Sequence, residues 1–308
     1  MKSEILAVAA MLFALAGPAP AHADEPAAPS NPAACDYFEN ALIGTRCAGT
    51  FAVGAGLSST MRKVEADNAD FTFLRKTEWL TPFGFVRVTP TSWLTLGFTS
   101  EYTDFDTHYR YQPAGSAVQK FHGYASFADR QIFTVNANVI DTGPAASRYV
   151  VNLFAGDSFV PAHDGGDSNN YAFAGYTSGA KWQLGQAGYS LNAFSSFEAN
   201  FNTDVEFVRL FSTTRLLLSN DALGIGAGPV FSSAYIASGS ASGFPKDAYS
   251  AGLEVIAQPF KDSSSVFLAG LVLDASVKQS IGQAGFVSDT FDARETVVEG
   301  SMRYNFKY

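Results

Sequence analysis

The chain has 308 residues and a formal net charge of −9, and only 16% of its residues are charged while 47% are apolar. An acidic chain with so few charges is unsuited to nucleic acid, because phosphate binding requires a basic surface. The apolar and aromatic content also excludes a globally disordered chain, which leaves a secreted globular protein or a membrane protein.

The N-terminal residues have the pattern of a secretory signal peptide. A short charged start precedes an apolar run over residues 5–16, and a small-residue cleavage motif ends at Ala23. The apolar run is short and is broken by Gly17 and Pro18, so a membrane anchor is the weaker alternative. We therefore expect residues 1–23 to be removed during export.

The next segment, residues 24–48, is expected to form a short periplasmic element outside the main domain. It contains the two cysteines of the sequence, Cys35 and Cys47. In an oxidising compartment we expect them to form a disulfide; a metal site built on the two cysteines is the weaker alternative, because no histidine lies near them. Between them, residues 36–43 could form one or two helical turns.

From residue 49 to 308 the sequence alternates between apolar and polar residues, which is typical of β-strands that bury one face. Ile256, Leu268 and Val272 are apolar exceptions on otherwise polar faces. Helical periodicity is weak throughout this region. The alternating segments predict about twelve strands, near residues 50–63, 71–89, 93–105, 119–139, 148–158, 171–183, 189–198, 205–218, 223–236, 248–258, 265–278 and 294–308.

Short turns alternate with longer polar connections between the predicted strands. The longer connections include residues 64–70, 106–118, 159–170 and 279–293. Amphipathic strands of about ten residues with such connections are typical of a closed antiparallel transmembrane β-barrel, an all-β fold, here assigned to residues 49–308. The sheet must close, because each unpaired N–H or C=O group in hydrocarbon costs several kcal/mol.

The end of the chain resembles the terminal strand of bacterial outer-membrane β-barrel proteins. Tyr304, Phe306 and Tyr308 stand at alternating positions and an aromatic residue closes the sequence. Ser301 and Arg303 stand where the fuller family signal has glycine, so the amphipathic strand is the shared feature. The resemblance implies insertion by the barrel-assembly machinery, contact with outer-membrane lipid and lipopolysaccharide, and a place in the outer membrane of a Gram-negative bacterium.

Soluble β-sandwiches and lipocalin-like barrels show the same alternation, so it does not by itself identify a membrane protein. Three features favour the membrane. These are the terminal aromatic residue, the unequal lengths of the connections, and the small residues that share the apolar face with larger ones.

The polar faces of the predicted strands carry charged residues that we expect to face the barrel lumen. Such residues either line a water-filled pore or pair with one another and fill a narrow lumen. The pattern favours a porin-like passage for small polar solutes. The alternatives are a translocator barrel similar to autotransporter domains and a sealed structural barrel. The expected lumenal residues are Arg209, Arg215, Glu254, Asp274, Lys278, Glu299 and Arg303.

The motifs of the sequence do not favour catalysis. Residues 156–158 are similar to the start of a Gly-Asp-Ser-Leu hydrolase signature and His163 is nearby, but they end a predicted strand and do not belong to an α/β fold. His108 and His122 lie in or near the predicted connection 106–118. We therefore expect no enzyme activity, no cofactor and no metal site.

Overall fold

The computed structural model describes residues 36–46, 50–67, 69–91, 93–144, 146–160, 169–185, 188–202, 207–238, 247–281 and 293–307. The predicted signal peptide, the predicted disulfide between Cys35 and Cys47, His163 and Tyr308 lie outside these ranges. Within the described ranges, no helix is long and apolar enough to cross a lipid bilayer.

The chain forms a closed antiparallel β-barrel of twelve strands, in which each strand pairs with its sequence neighbours and the first strand pairs with the last. This confirms the predicted fold class. Two short helices, α1 (Tyr37–Ile43) and α2 (Val266–Ala269), accompany the barrel. The strands are β1 (Thr50–Asp67), β2 (Phe71–Thr91), β3 (Leu94–Pro113), β4 (Gln119–Thr142), β5 (Ser147–Val160), β6 (Asn169–Leu184), β7 (Tyr189–Asn202), β8 (Phe207–Asn220), β9 (Ile225–Ser238), β10 (Asp247–Ala257), β11 (Leu271–Ser280) and β12 (Ala293–Lys307).

The two ends of the barrel carry different connections. One end, which we call the turn end, carries the connections 92–93, 143–146, 185–188, 221–224 and 258–270 together with the start of β1 and the end of β12. The opposite end, which we call the loop end, carries the remaining connections.

The outer face of the barrel carries an apolar belt. On β10, Leu253 is 68% exposed and Val255 is 40% exposed, whereas Glu254 between them is buried. On β8, Leu216 and Leu218 are exposed in the same way. The alternation therefore places apolar side chains outward, as a lipid-facing surface requires.

Aromatic residues mark the border of this belt at the turn end. Trp93, Tyr149, Trp182 and Tyr189 are all exposed and stand beside the first three turns. Rings with an apolar body and a polar edge are favoured at a membrane–water interface. The belt of aromatic residues at the turn end is therefore consistent with the boundary of the hydrocarbon layer.

The first four strands are longer than the others and extend past the belt at the loop end. They contain 18, 21, 20 and 24 residues, whereas β10 contains 11 and β11 contains 10. About ten residues suffice to cross a bilayer at a tilt. We call the extra part the extension, and it comprises residues 63–67, 71–79, 104–113 and 119–130.

The outer face of the extension is charged. Lys63 pairs with Glu65 at 2.7 Å on β1, and Lys76 pairs with Glu78 on β2. Nearer the turn end, the same outer face of these strands is apolar. Because this face becomes charged in the extension, the extension lies outside the lipid.

The extension corrects two predicted connections. Residues 64–70 and 106–118 were expected to be loops, but β1 continues to Asp67 and β3 continues to Pro113. Outside the membrane the outer face need not be apolar, so the alternation of the sequence disappears while the backbone pairing continues. A third difference is at the start of β11, where α2 replaces the first residues of the predicted strand 265–278.

The assignment of the belt predicts a difference between two substitutions on the outer face. Leu253→Arg should lower the free energy of unfolding by about 2–4 kcal/mol, because it places a charge in hydrocarbon. Glu65→Arg, on the outer face of the extension, should change it by less than about 1 kcal/mol. Urea titration of the protein refolded into lipid vesicles measures both, and equal losses would contradict the belt.

Candidate functional site

Helix α1 lies inside the barrel lumen. Its residues Phe38, Leu42 and Ile43 are at most 2% exposed and form one apolar cluster with residues of the barrel wall. The strands that contribute lie on different sides of the closed sheet, so a helix that touches all of them must be within it. The wall residues are Val150 on β5, Leu217 on β8, Ile256 on β10 and Val272 on β11.

The interpretation of residues 36–43 as an element outside the barrel is therefore wrong. The apolar side of the helix is covered by apolar side chains that point into the lumen. Two of these, Ile256 and Val272, are the residues that interrupt the alternation of their strands. The interruption was the sequence signal for a lumenal partner, although it does not identify which segment covers it.

The ends of α1 are formed by local capping. The side chain of Asp36 accepts a hydrogen bond of 2.9 Å from the backbone N–H of Glu39, which satisfies one free donor of the first turn. At the other end Gly44 adopts a left-handed conformation with φ of 79°, and its N–H donates to the carbonyl oxygen of Asn40. These caps, together with the burial of Phe38, Leu42 and Ile43, stabilise a helix of only seven residues.

Contacts with β5 show which way the helix points. Glu39, in the first turn, receives a hydrogen bond of 3.1 Å from Arg148, whereas the carbonyl oxygen of Gly44 receives one of 3.0 Å from Asn152. Asn152 lies four residues further from the turn end than Arg148. The N-terminus of α1 therefore faces the turn end and its C-terminus faces the middle of the lumen. Burial raises the pKa of Glu39, while the positive charges of Arg148 and Lys181 oppose the rise.

Arg215 on β8 joins the helix to the wall. Its Nη1 donates to Oε1 of Glu254 at 2.7 Å, and its Nη2 donates to the carbonyl oxygens of Ala41 and Leu42. The guanidinium also lies 4.3 Å from the centroid of the Phe194 ring. The last carbonyls of a helix lack partners within the helix and carry partial negative charge, so a cation is favourable there.

Two glycines let the helix approach the wall. A Cβ atom at Gly179 would lie 2.1 Å from the carbonyl oxygen of Ile43, and one at Gly226 would lie 3.1 Å from Cδ2 of Leu42. The first distance is far below any van der Waals contact and involves backbone. A side chain at Gly179 is therefore incompatible with the docked helix.

A cavity of about 530 Å³ lies in the lumen beside the C-terminal end of α1. Its lining comes from the helix segment and from strands around the whole barrel. Among the described residues that line it, the charged ones are four arginines and two acids, namely Arg46, Arg87, Arg215, Arg303, Glu101 and Asp274. The cavity is therefore rich in positive charge even though the whole chain carries a net charge of −9.

The segment after α1 also contributes to the cavity. Arg46 donates from Nε to Oδ1 of Asn152 and from Nη2 to Oδ1 of Asn136, both at 3.1 Å. Sequence analysis missed Arg46 because it lies in the N-terminal segment, outside the predicted barrel. It also missed Arg87 on β2, which lies 4.8 Å from the centroid of the Phe85 ring.

The structure brings four of the expected lumenal residues to the site around α1. Arg215 and Glu254 bind each other, and Asp274 and Arg303 line the cavity.

The other three lie elsewhere on the inner face. Lys278 forms an ion pair with Glu299 at 2.5 Å, and Arg209 lies 4.5 Å from the centroid of the Phe211 ring.

In the terminal strand, Tyr304 and Phe306 pair with Ala55 and Val53 of β1. Tyr304 lies on the same outer face of β12 as the exposed Met302.

The residues of the hydrolase-like motif take part in wall packing. Ser158 is fully buried on β5 and accepts a hydrogen bond of 2.9 Å from Nε of Arg130 on β4. Arg130 also pairs with Glu101 at 3.5 Å.

No family model matches the sequence, and no curated protein matches it. Solved structures of similar fold include the β domain of the Bordetella autotransporter BrkA, with 12% identity, a TM-score of 0.43, and coverage of 83% of this chain and 100% of that one. An outer membrane channel from Pseudomonas putida F1 has 12% identity, a TM-score of 0.44 and coverage of 85% and 96%. The translocator domain of the autotransporter NalP from Neisseria meningitidis has 9% identity, a TM-score of 0.35 and coverage of 88% and 92%.

The contact at Gly179 predicts how α1 can be released. Gly179→Ala should expel the helix from the lumen, so that the backbone amides of residues 37–43 exchange with deuterium at least tenfold faster. Gly84→Ala is the matched control, because the nearest atom to its added Cβ lies 3.9 Å away. Hydrogen exchange followed by mass spectrometry measures both variants, and unchanged protection in Gly179→Ala would contradict the docked helix.

Proposed function

We propose that the barrel is an outer-membrane passage for small anionic solutes and that α1 closes it in the present conformation. The observation that carries the proposal is the excess of arginine around the lumenal cavity. A water-filled pore lined by one sign of charge favours solutes of the opposite sign. Arginine is suited to carboxylate and phosphate groups, because its planar fork of N–H donors matches their oxygens.

The hydrogen bonding of these arginines supports an anionic occupant. Within the described part of the chain, the Nε atoms of Arg215 and Arg303 are buried without a hydrogen-bond partner. A buried N–H group without a partner costs free energy, which an anion or water in the cavity would recover.

The size of the cavity is compatible with small solutes. Pockets for small ligands have volumes of about 300–1,000 Å³, and the cavity here has about 530 Å³. The proposal therefore concerns metabolite-sized anions and excludes folded protein as cargo in this conformation.

The direction of α1 bears on the translocator alternative. A barrel that exports its own N-terminal segment must pass the chain through the lumen. Here the described N-terminal end of the helix faces the turn end, where β1 also begins. Within residues 36–46 the chain thus runs from the turn end toward the middle of the lumen, and β1 begins again at the turn end, as expected for a plug.

The sealed structural barrel is favoured by ion pairs across the inner face. Lys181 pairs with Asp221 at 2.7 Å, and Lys278 with Glu299. Pairs of this kind narrow a lumen and neutralise its charge. These two pairs lie outside the lining of the cavity, where Arg215 is paired with Glu254 but the charged groups are mainly cationic.

We further propose that the turn end faces the periplasm and that the loop end faces outside, with the chain exported by a cleaved signal peptide. The short connections 92–93, 143–146, 185–188 and 221–224 at the turn end and the extension at the loop end support this orientation, because such barrels have short periplasmic turns. Protease added to intact cells should therefore cut the loop end before any connection of the turn end.

Single-channel recording in planar bilayers tests the passage. The protein refolded after signal removal should show rare, small openings, and Gly179→Ala should raise the conductance at least severalfold because α1 leaves the lumen. Gly84→Ala should behave like the parent. Closed membranes with both variants, combined with fast amide exchange of α1 in Gly179→Ala, would favour the sealed structural barrel.

The ion selectivity of the released barrel tests the role of the arginines. In a salt gradient, Gly179→Ala should show a reversal potential for preferential anion flow. Adding Arg87→Gln should shift this potential toward zero, because one cation of the lining is removed. Adding Arg110→Gln is the control, since this exposed residue lies in the extension, away from the cavity lining. A reversal potential that shows preferential cation flow through Gly179→Ala would overturn the proposal.

A further inference from the structure

A cluster of metal-ligating side chains lies on the outer face of the extension. His108 on β3 pairs in register with His122 on β4, and their rings stack with centroids 4.4 Å apart and an interplanar angle of 9°. Asp106 precedes His108 by two residues and so lies on the same face. Its carboxylate oxygens lie 2.7 Å from Nε2 of His122 and 3.5 Å from Nε2 of His108.

These distances suit a shared metal ion. Tetrahedral ligands about 2.1 Å from a metal lie roughly 3.4 Å from one another. The ligand atoms of Asp106, His108 and His122 all lie within 4.8 Å of one another. Small rotations of the rings and the carboxylate therefore suffice to bring three donors onto one ion, with water as a fourth ligand.

The donor set selects the kind of metal. Two imidazoles and one carboxylate suit Zn²⁺ and neighbouring transition metals, whereas Ca²⁺ and Mg²⁺ prefer ligands that are all oxygen. We propose that Asp106, His108 and His122 bind a divalent transition-metal ion, with Zn²⁺ as the representative, on the outer surface of the barrel.

The site is open to solvent and its surroundings are mixed in charge. The two histidine side chains are 57% and 58% exposed and Asp106 is 37% exposed, so an ion can reach them from water. On β2, Lys76 stands opposite His108 and Glu78 stands opposite Asp106, and these two form an ion pair with each other. Arg110 and Lys120 form the next pair on this face; their repulsion of the ion is screened by solvent.

The position of the site gives the bound metal a structural effect. In the described pairing, residues 119–130 of β4 pair with β3, whereas pairing with β5 begins at Gln131. A metal held by His108 and His122 links β3 to β4 in this part of the extension. Metal binding should therefore slow the separation of the two strands in the extension.

Calorimetric titration of Zn²⁺ into the refolded barrel tests the proposal. The parent should bind one ion per chain at pH 7.5, and His108→Gln and His122→Gln should each weaken binding at least tenfold. Glu65→Gln, an exposed carboxylate on the outer face of β1, is the matched control and should leave the affinity unchanged.

Two further readouts separate a metal site from loss of folding. All variants should keep heat-modifiable mobility on gels, which reports the folded barrel. Co²⁺ bound to the parent should show visible absorption of four-coordinate nitrogen and oxygen ligation, and this absorption should be absent in His122→Gln. Equal Zn²⁺ affinity in the parent and the two histidine variants would overturn the proposal.

Discussion

The structure depends on the closure of the sheet. In hydrocarbon each backbone N–H and C=O group needs a partner within the protein, so a spanning sheet cannot keep an open edge. The pairing of β1 with β12 meets this requirement over fifteen positions, from Ala52 opposite Lys307 to Ala66 opposite Ala293. Closure also creates an enclosed lumen, in which the seven-residue helix α1 is buried against several strands at once.

The same constraint explains which parts of the fold could be predicted from the sequence. Lipid requires one apolar face on every spanning strand, so twelve strands and their order follow from the alternation. The predicted connections 64–70 and 106–118 were wrong because these segments lie outside the lipid, where the outer face need not be apolar. In the extension the outer face carries Glu65, Asp106, His108 and Arg110, and these polar residues made the ends of β1 and β3 look like loops. The pairing of His108 with His122 was hidden for the same reason.

The lumenal site was only partly predictable. Arg215, Glu254, Asp274 and Arg303 stand at polar positions of regular strands, so their face follows from parity. Their contacts do not, because Arg215 meets carbonyl groups of α1 that lie more than 170 residues away in sequence. Nothing in the alternation of β8 indicates that a helix end supplies the acceptors, or that Gly179 leaves room for it.

The net charge of the chain hides the character of the lumen. A value of −9 sums over the whole sequence, whereas the cavity is lined by four arginines and two acids among the described residues. This local excess of arginine makes the cavity lining positive, even though the inner face also carries paired acids such as Glu254 and Glu299. Arg215 contributes to this positive charge, and it also binds α1 by donating hydrogen bonds to the carbonyl oxygens of Ala41 and Leu42. A substitution of Arg215 would therefore change both the charge of the cavity lining and the attachment of the helix.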